Sequence, residues 1–375
     1  MKAKDETRSE EGLARLTRRQ FLRATGVATV AATGLPAVLA ADQSITVALV
    51  GCAHIHTASY VGLLTQREDV TVKFVWDHDA ARANKYARQL EAKAVADLDQ
   101  IWSDPAVTAV VICSETNRHR DLVLAAARAG KHLFVEKPLG ITAQESREMA
   151  DAIERANRLF TTGYFMRSDP KHIFLRAEIA RGAFGMVTRA RGSNCHNGSL
   201  GGWFDKEFRW MADPSIAGFG GFGDLGTHKL DILMWLLGDV EAVSADLRAV
   251  THRYGECDET GEGLLQFQSG IIATLGAGWV DVADPVQLMV SGTTAHAVVI
   301  NGQLFYQNAH VPGADGKEPF KHLPPAPREP IQQFLDAVAG KQGEPLVTPR
   351  EAAARVAVME ALYRASSRRA WVKPA

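Results

Sequence analysis

An α/β chain, with a doubly wound parallel sheet first and an α+β domain with a largely antiparallel open sheet second, is the fold this sequence predicts, on three observations. Between Ile45 and Phe165, short apolar runs alternate with longer amphipathic ones. That is the pattern of strands buried on both faces and joined by crossover helices. After Arg167 the strand-like runs crowd together and few helices separate them. The length, 375 residues, suits two domains of roughly 100–200 residues each.

The elements follow in chain order. Residues 1–16 are polar, Thr17-Arg18-Arg19-Gln20-Phe21-Leu22-Arg23 follows, and an Ala-rich apolar stretch runs from Ala24 to Ala40. This is the order of an export signal, and the paired arginines before Phe-Leu resemble the twin-arginine type. The apolar stretch is short of the roughly 20 residues a membrane span needs, and Gly26, Gly34 and Pro36 interrupt it. Val38 and Ala40 suit a cleavage site, and no cysteine there offers a lipid anchor. The expectation is a leader over 1–40, passage through the twin-arginine export machinery, a periplasmic location and no stable membrane anchor. Strands are predicted at Ile45–Gly51, Val72–Asp77, Val107–Cys113, His132–Glu136 and Leu159–Phe165, with helices near 80–91, 119–129 and 142–157. Gly130 stops the second of these helices. The first domain is therefore placed at 41–165 and the second at 166–375. In the second, strand-like runs stand at 186–192, 240–250, 263–267, 271–277, 286–290 and 297–301. Helices are expected near 170–181, 224–237 and 349–366, the last free to pack back on the first domain. Residues 308–329, with five prolines, read as a long loop.

Composition excludes several functions. The formal net charge is −1, 46% of residues are hydrophobic and 23% charged, so no basic footprint of a nucleic-acid binder exists. The four cysteines, Cys52, Cys113, Cys195 and Cys257, form no CxxC pair, so neither a cysteine zinc site nor a disulfide framework is expected.

A strand, a tight turn, a helix and an acid some twenty-odd residues on is the geometry for a dinucleotide, with the pyrophosphate at the helix N-terminus. Here the turn is Gly51-Cys52-Ala53-His54-Ile55-His56. Only the first glycine of G-x-G-x-x-G survives, Ala53 is a small replacement, and His56 departs from the pattern. Asp77 ends the second strand and suits an adenosine ribose, which favours NAD over NADP; a strand-end turn aspartate is the competing reading. Arg82, one turn into the next helix, leaves NADP open. At the end of the fourth strand stands Glu136-Lys137-Pro138, where a lysine can reach a substrate hydroxyl.

The segment Ala129–Pro138 (AGKHLFVEKP) and the segment Gly220–Asp231 (GGFGDLGTHKLD), with Trp235–Gly238 after it, resemble the signatures of the glucose–fructose oxidoreductase / inositol dehydrogenase / MocA family. The resemblance runs from about Ile45 to the end. It implies a Rossmann domain, a nicotinamide cofactor and a sugar, polyol or related cyclic alcohol as substrate. Lys137 matches the family's catalytic lysine, and Asp224 and His228 match its helix aspartate and histidine. Positions i and i+4 share one helical face. Histidine suits the hydroxyl proton at neutral pH, and a nearby ammonium eases alkoxide development. Ser114 and His119 match the family's cofactor loop after the third strand, where Glu115 replaces the usual proline. Glu136 is expected on the nicotinamide side. Arg167 opens the second domain where relatives place a substrate residue. Asn194 and Trp203 lie in a polar, glycine-rich, aromatic loop suited to a sugar face; a loop pinned by core tryptophans is the bland alternative. Asp231 is read as support for the helix or histidine. A homo-oligomer is expected.

Three other readings stay open. His54-x-His56 after a strand resembles the first ligand pair of a metal-dependent hydrolase, although no metal is expected here. A sugar-binding protein without catalysis would keep the cofactor as a structural element. A glycosidase or epimerase on this fold would oxidise and re-reduce one ring carbon, with no net change in redox state.

Overall fold

The computed structural model describes residues 44–375, so the leader over 1–40 lies outside the described residues. Six strands form the first sheet: β1 (Ile45–Val50), β2 (Val70–Trp76), β3 (Lys93–Ala94), β4 (Ala109–Ile112), β5 (His132–Val135) and β6 (Phe160–Thr162). All are parallel, in the order β3-β2-β1-β4-β5-β6. The order reverses between β1 and β4. In doubly wound sheets the ligand crevice opens at that point, beyond the carboxyl ends of the strands. The helices of this half are α1 (Thr57–Thr65), α2 (Ala80–Gln89), the short α3 (Asp99–Trp102), α4 (His119–Arg128) and α5 (Ala143–Ala156). Local chemistry sets their ends. The Asp79 side chain accepts from the Ala81 and Arg82 backbone N–H groups at the start of α2. Thr142 accepts from the Glu145 N–H at the start of α5, which stops at Asn157 in the left-handed conformation.

The second sheet has seven strands: β7 (Val187–Cys195), β8 (Val240–Arg248), β9 (Thr260–Phe267), β10 (Ile272–Gly278), β11 (Val286–Gly292), β12 (Ala295–Ile300) and β13 (Gln303–Asn308). Their order is β13-β12-β11-β7-β10-β9-β8. All neighbours are antiparallel except β7 and β10. With them come α6 (Pro170–Ala180), the short α7 (Pro214–Ala217) and α8 (Gly221–Leu237). The chain ends with α9 (Pro330–Val338) and α10 (Pro349–Arg368).

Helix α8 lies at the centre of the second half. Fifteen of its seventeen residues are buried. One side packs on β7 and β10, and another meets α10. The helix is buried on nearly every side, and it presents Asp224 and His228 to the crevice. The sequence shows no helix at 330–338, because the run is brief and hedged by prolines. In the structure Ile331, Phe334 and Leu335 of α9 are fully buried in the same core as β1, β2 and α1. The second half is therefore not one continuous block from 166 to 375, because α9 returns to the first sheet. Helix α10 lies along α5 and β8. Among the described residues no helix is long and apolar enough to cross a membrane.

Candidate active site

Gly51 opens the turn after β1 with φ +81°, and a Cβ there would sit 2.5 Å from the Ser114 Cβ. Only glycine allows β1 and the β4 exit to approach so closely. Beyond it the turn departs from a glycine-rich loop in a specific way. His56 does not pack helix against strand; its Nδ1 lies 2.9 Å from a Glu136 carboxylate oxygen. Tyr60, on α1, donates its hydroxyl to the same oxygen. The other oxygen accepts from the Lys137 backbone N–H at 2.6 Å, and His54 Nε2 lies 3.8 Å from it. Glu136 is fully buried. Burial by itself would raise its pKa, but His54, His56 and Lys137 outweigh that and hold the carboxyl well below the usual range.

His54, His56 and Glu136 bring three ligand atoms within 4.8 Å of one another, the constellation a metal hydrolase would use. The tautomer speaks against that use. The His56 backbone N–H donates to His54 Nδ1 at 3.2 Å. Burial, the largest influence, lowers the His54 pKa to about 3, so the ring is neutral and its proton sits on Nε2, the atom a cation would need. His56 and Tyr60 hydrogen-bond the Glu136 carboxylate, and His54 stands beside it at 3.8 Å.

The residues matched to the catalytic set do converge. Lys137 Nζ donates to an Asp224 carboxylate oxygen at 2.7 Å. The second oxygen accepts from the Trp279 indole N–H at 3.0 Å. Both carboxylate oxygens thus have a partner. Burial opposes the charge on Asp224, but Lys137 prevails and the pKa falls to about 2. His228 lies one helical turn on. Burial, then Lys137 and His56, push its pKa well below 6.5, so the ring is neutral. Its Nδ1 is buried and has no hydrogen-bond partner. Phe165 packs on the ring at 4.7 Å between centroids. Tyr60 and Trp279 carried no motif. They enter the site because α1 and the end of β10 deliver them there, and sequence spacing held no signal of it.

Other expected residues have different work. Asp77 is buried and its oxygens are taken: one by the Cys52 N–H at 2.6 Å, the other by the Asp79 N–H at 2.7 Å and by Arg82 at 2.9 Å. In this arrangement it stabilises the turn, and Oδ2, with a single donor, keeps acceptor capacity for a further hydrogen bond. Arg82 also reaches Glu115 at 2.8 Å, and Glu115 meets His78 at 2.9 Å. The acid standing in place of the usual proline therefore engages one edge of the Arg82 guanidinium. His119 is wholly buried, with its ring nitrogens facing the carbonyl oxygens of Leu139 at 3.1 Å and Ser114 at 3.3 Å. It pins the Lys137-Pro138 loop, whose peptide bond is cis, to the β4 exit and does not face a ligand. Ser114 is buried with it. Arg167 binds both carboxylate oxygens of Asp231 (2.8 and 2.6 Å) and Glu351 (3.0 Å). Arg355 shares Asp231 at 2.9 Å. Arg167 is thus a strut between α8 and α10, correcting its expected substrate role. Asn194 donates its side-chain N–H to the Leu225 carbonyl at 2.8 Å and lines a cavity of about 740 Å³. Trp203 lies outside that cavity, half exposed, stacked on His196 at 4.8 Å.

A dinucleotide suits this crevice in its chemistry: a parallel sheet's switch point, a glycine turn, the uncapped N-terminus of α1 and the orphaned His228 Nδ1. One segment narrows the end of the crevice beside Lys137 and Asp224. The Trp210 indole N–H donates to the Ala53 carbonyl at 3.2 Å, and its ring lies 6.0 Å from His54. The space left among His54, Lys137, Trp210 and Asp224 is about 10 Å³.

Comparisons with known proteins agree with this geometry. Residues 45–164 match the model described as oxidoreductase family, NAD-binding Rossmann fold. Residues 172–298 match the GFO/IDH/MocA C-terminal domain. Together the matches take in more than half of the chain. The chain is 33% identical over 154 residues to levoglucosan dehydrogenase of Pseudarthrobacter phenanthrenivorans, which is 41% of this chain and 39% of that protein. The aligned stretch is therefore less than half of that relative's length. It is 25% identical over 282 residues to the NAD-dependent scyllo-inositol 2-dehydrogenase of Bacillus subtilis, covering 73% of this chain and 79% of that one. A solved levoglucosan dehydrogenase in complex with NADH shares the fold with TM-score 0.73 and 22% identity, covering 89% of this chain and all of the other.

Proposed function

Because the chain belongs to the GFO/IDH/MocA oxidoreductase family, with its NAD-binding Rossmann fold, we propose that it transfers hydride between NAD and a ring alcohol of a sugar or cyclic polyol. The observation that carries this reading is the Lys137–Asp224 pair at 2.7 Å, one helical turn from the unpartnered His228. His228 is neutral and can take the hydroxyl proton. Lys137, held by Asp224, places an ammonium where the substrate oxygen gains negative charge. Asp224, fixed by Trp279, keeps that ammonium in position. Nicotinamide supplies the hydride acceptor. The relatives named for levoglucosan and scyllo-inositol support a cyclic polyol as substrate. The test is absorbance at 340 nm when purified protein meets NAD and a panel of cyclic polyols. Reduction that disappears in His228→Ala is the expected result; no reduction with any polyol in a protein that binds NAD overturns the reading.

The Arg18-Arg19 leader pattern supports export of folded protein to the periplasm. A folded protein exported without a supply of free NAD would carry its cofactor and recycle it in place, oxidising one sugar and reducing another. Incubation with mixed sugars and no added NAD, with products identified by mass, tests this; a need for added NAD at every turnover defeats it.

A further inference from the structure

The residue after His228 is a lysine whose place the proposed chemistry does not use. Lys229 is 2% exposed. Its stem crosses β7 at Gly192, where a Cβ would stand 2.5 Å from the lysine Cγ. Any other residue at 192 would block that path. Lys229 lines the 740 Å³ cavity with Asn194 and His196. Among the described residues its ammonium makes no hydrogen bond and no ion pair. The cavity adjoins the catalytic cluster: Phe165, which also lines it, packs on His228.

Resting on the oxidoreductase reading, we infer that Lys229 binds a carboxylate on the substrate, so that the preferred substrate class is an acidic sugar such as a uronate. A buried ammonium is tolerated only when something compensates it. Asp169 is occupied by Lys171 at 2.9 Å, and Asp284 accepts from the Cys195 N–H at 3.1 Å. Their pull, opposed by Lys171, falls short of the cost of burial, and the lysine pKa drops to about 8. His172, which also lines the cavity, is neutral, its pKa brought to about 4 by burial and Lys229. Among the described residues no carboxylate reaches hydrogen-bonding distance of the Lys229 ammonium, which therefore lacks a direct anionic partner. A neutral sugar filling the cavity would displace the remaining water and leave that lack unmet, whereas a carboxylate meets it. Lys171 also lines the space but is paired with Asp169, so the one unpaired ammonium there matches a monoanion, and a phosphate would bring up to two charges beside Asp284 and Glu329.

The test compares hexuronates, the matching neutral hexoses and hexose 6-phosphates with NAD-loaded protein. Initial rates are read, along with competition binding by tryptophan fluorescence. The acid should exceed the neutral sugar at least tenfold in kcat/KM. Lys229→Met should cut that ratio by on the order of 10²-fold, and Lys229→Arg should keep part of it. In the wild type, affinity for the acid should fall as pH rises through about 8, where the ammonium loses its proton, while affinity for the neutral sugar holds. Equal use of acid and neutral sugar, preference for the phosphate, or a pH-independent acid affinity overturns the inference. Acid that binds with this pH dependence but never reduces NAD supports the anion site and overturns the oxidoreductase reading instead.

Discussion

Lys137, Asp224 and His228 were named from the resemblance of the segments 129–138 and 220–231 to one family, and the i, i+4 spacing on one helix face and the lysine's place at a strand end agree with that match. Ala substitution of each should lower kcat by about 10²-fold or more with folding kept, measured as initial rate beside thermal unfolding. Activity at wild-type level in all three would remove the assignment. Glu136 was legible too, but its surroundings were not. The Tyr60 hydroxyl bonds a buried carboxylate, and a hydrogen bond to a charged group contributes about 1.5–3 kcal/mol. Tyr60→Phe should lose stability on that scale in urea unfolding, and a change under 0.5 kcal/mol would make the contact incidental. Asp77 and Arg167 show the limit in the other direction. Each is a charged residue at a strand or helix boundary, and nothing local records that Cys52, Arg82, Asp231 and Glu351 arrive to occupy them.

At the scale of elements, the segment around Trp210 is expected to govern access to the crevice. It lies on the glycine turn through the indole bond to Ala53. Trp210→Ala should speed both association and release of NAD, by on the order of tenfold for about 1.4 kcal/mol of lost contact. Stopped-flow fluorescence would read this, and unchanged rates would show that the segment is no barrier. Helix α9 gives a second expectation. Phe334 is fully buried against the first sheet, so Phe334→Ala should cost about 3–5 kcal/mol and loosen the half of the molecule that holds the turn. Local unfolding confined to residues 166–308 by hydrogen exchange would contradict that placement. The alternation of strands and helices from Ile45 was readable because apolar runs bounded by glycine and polar turns are local signals. The nine-residue α9 carried too short a period to read.

The whole molecule buries several histidines in the neutral state. Burial brings His54 to about 3 and, with Lys229, His172 to about 4, and it carries His228 well below 6.5. Their native pKa values lie below those of the unfolded chain, so between about 6.5 and 4 the unfolded chain binds more protons. Stability must therefore fall as pH drops through that window, by about 1.4 kcal/mol per pH unit for each such proton. Asp224 and Glu136, whose pKa values are also depressed, extend the loss to lower pH. Urea midpoints should decline from pH 7 to pH 5, and a flat profile would mean these rings are charged in the folded protein. By itself the sequence determined the two-part architecture and the parallel sheet with its turn after β1, because period and turn chemistry are written within a few residues, while the lysine, aspartate and histidine were marked by their resemblance to a family's segments. Only the tertiary structure decided that His56 and Tyr60 hydrogen-bond Glu136 with His54 beside it, that Trp279 holds Asp224, that Arg82 and Arg167 engage in ion pairs, and that Lys229 stands unpartnered over Gly192. Those outcomes depend on which distant groups share one desolvated volume, and burial and pairing there are properties of packing that no local stretch encodes.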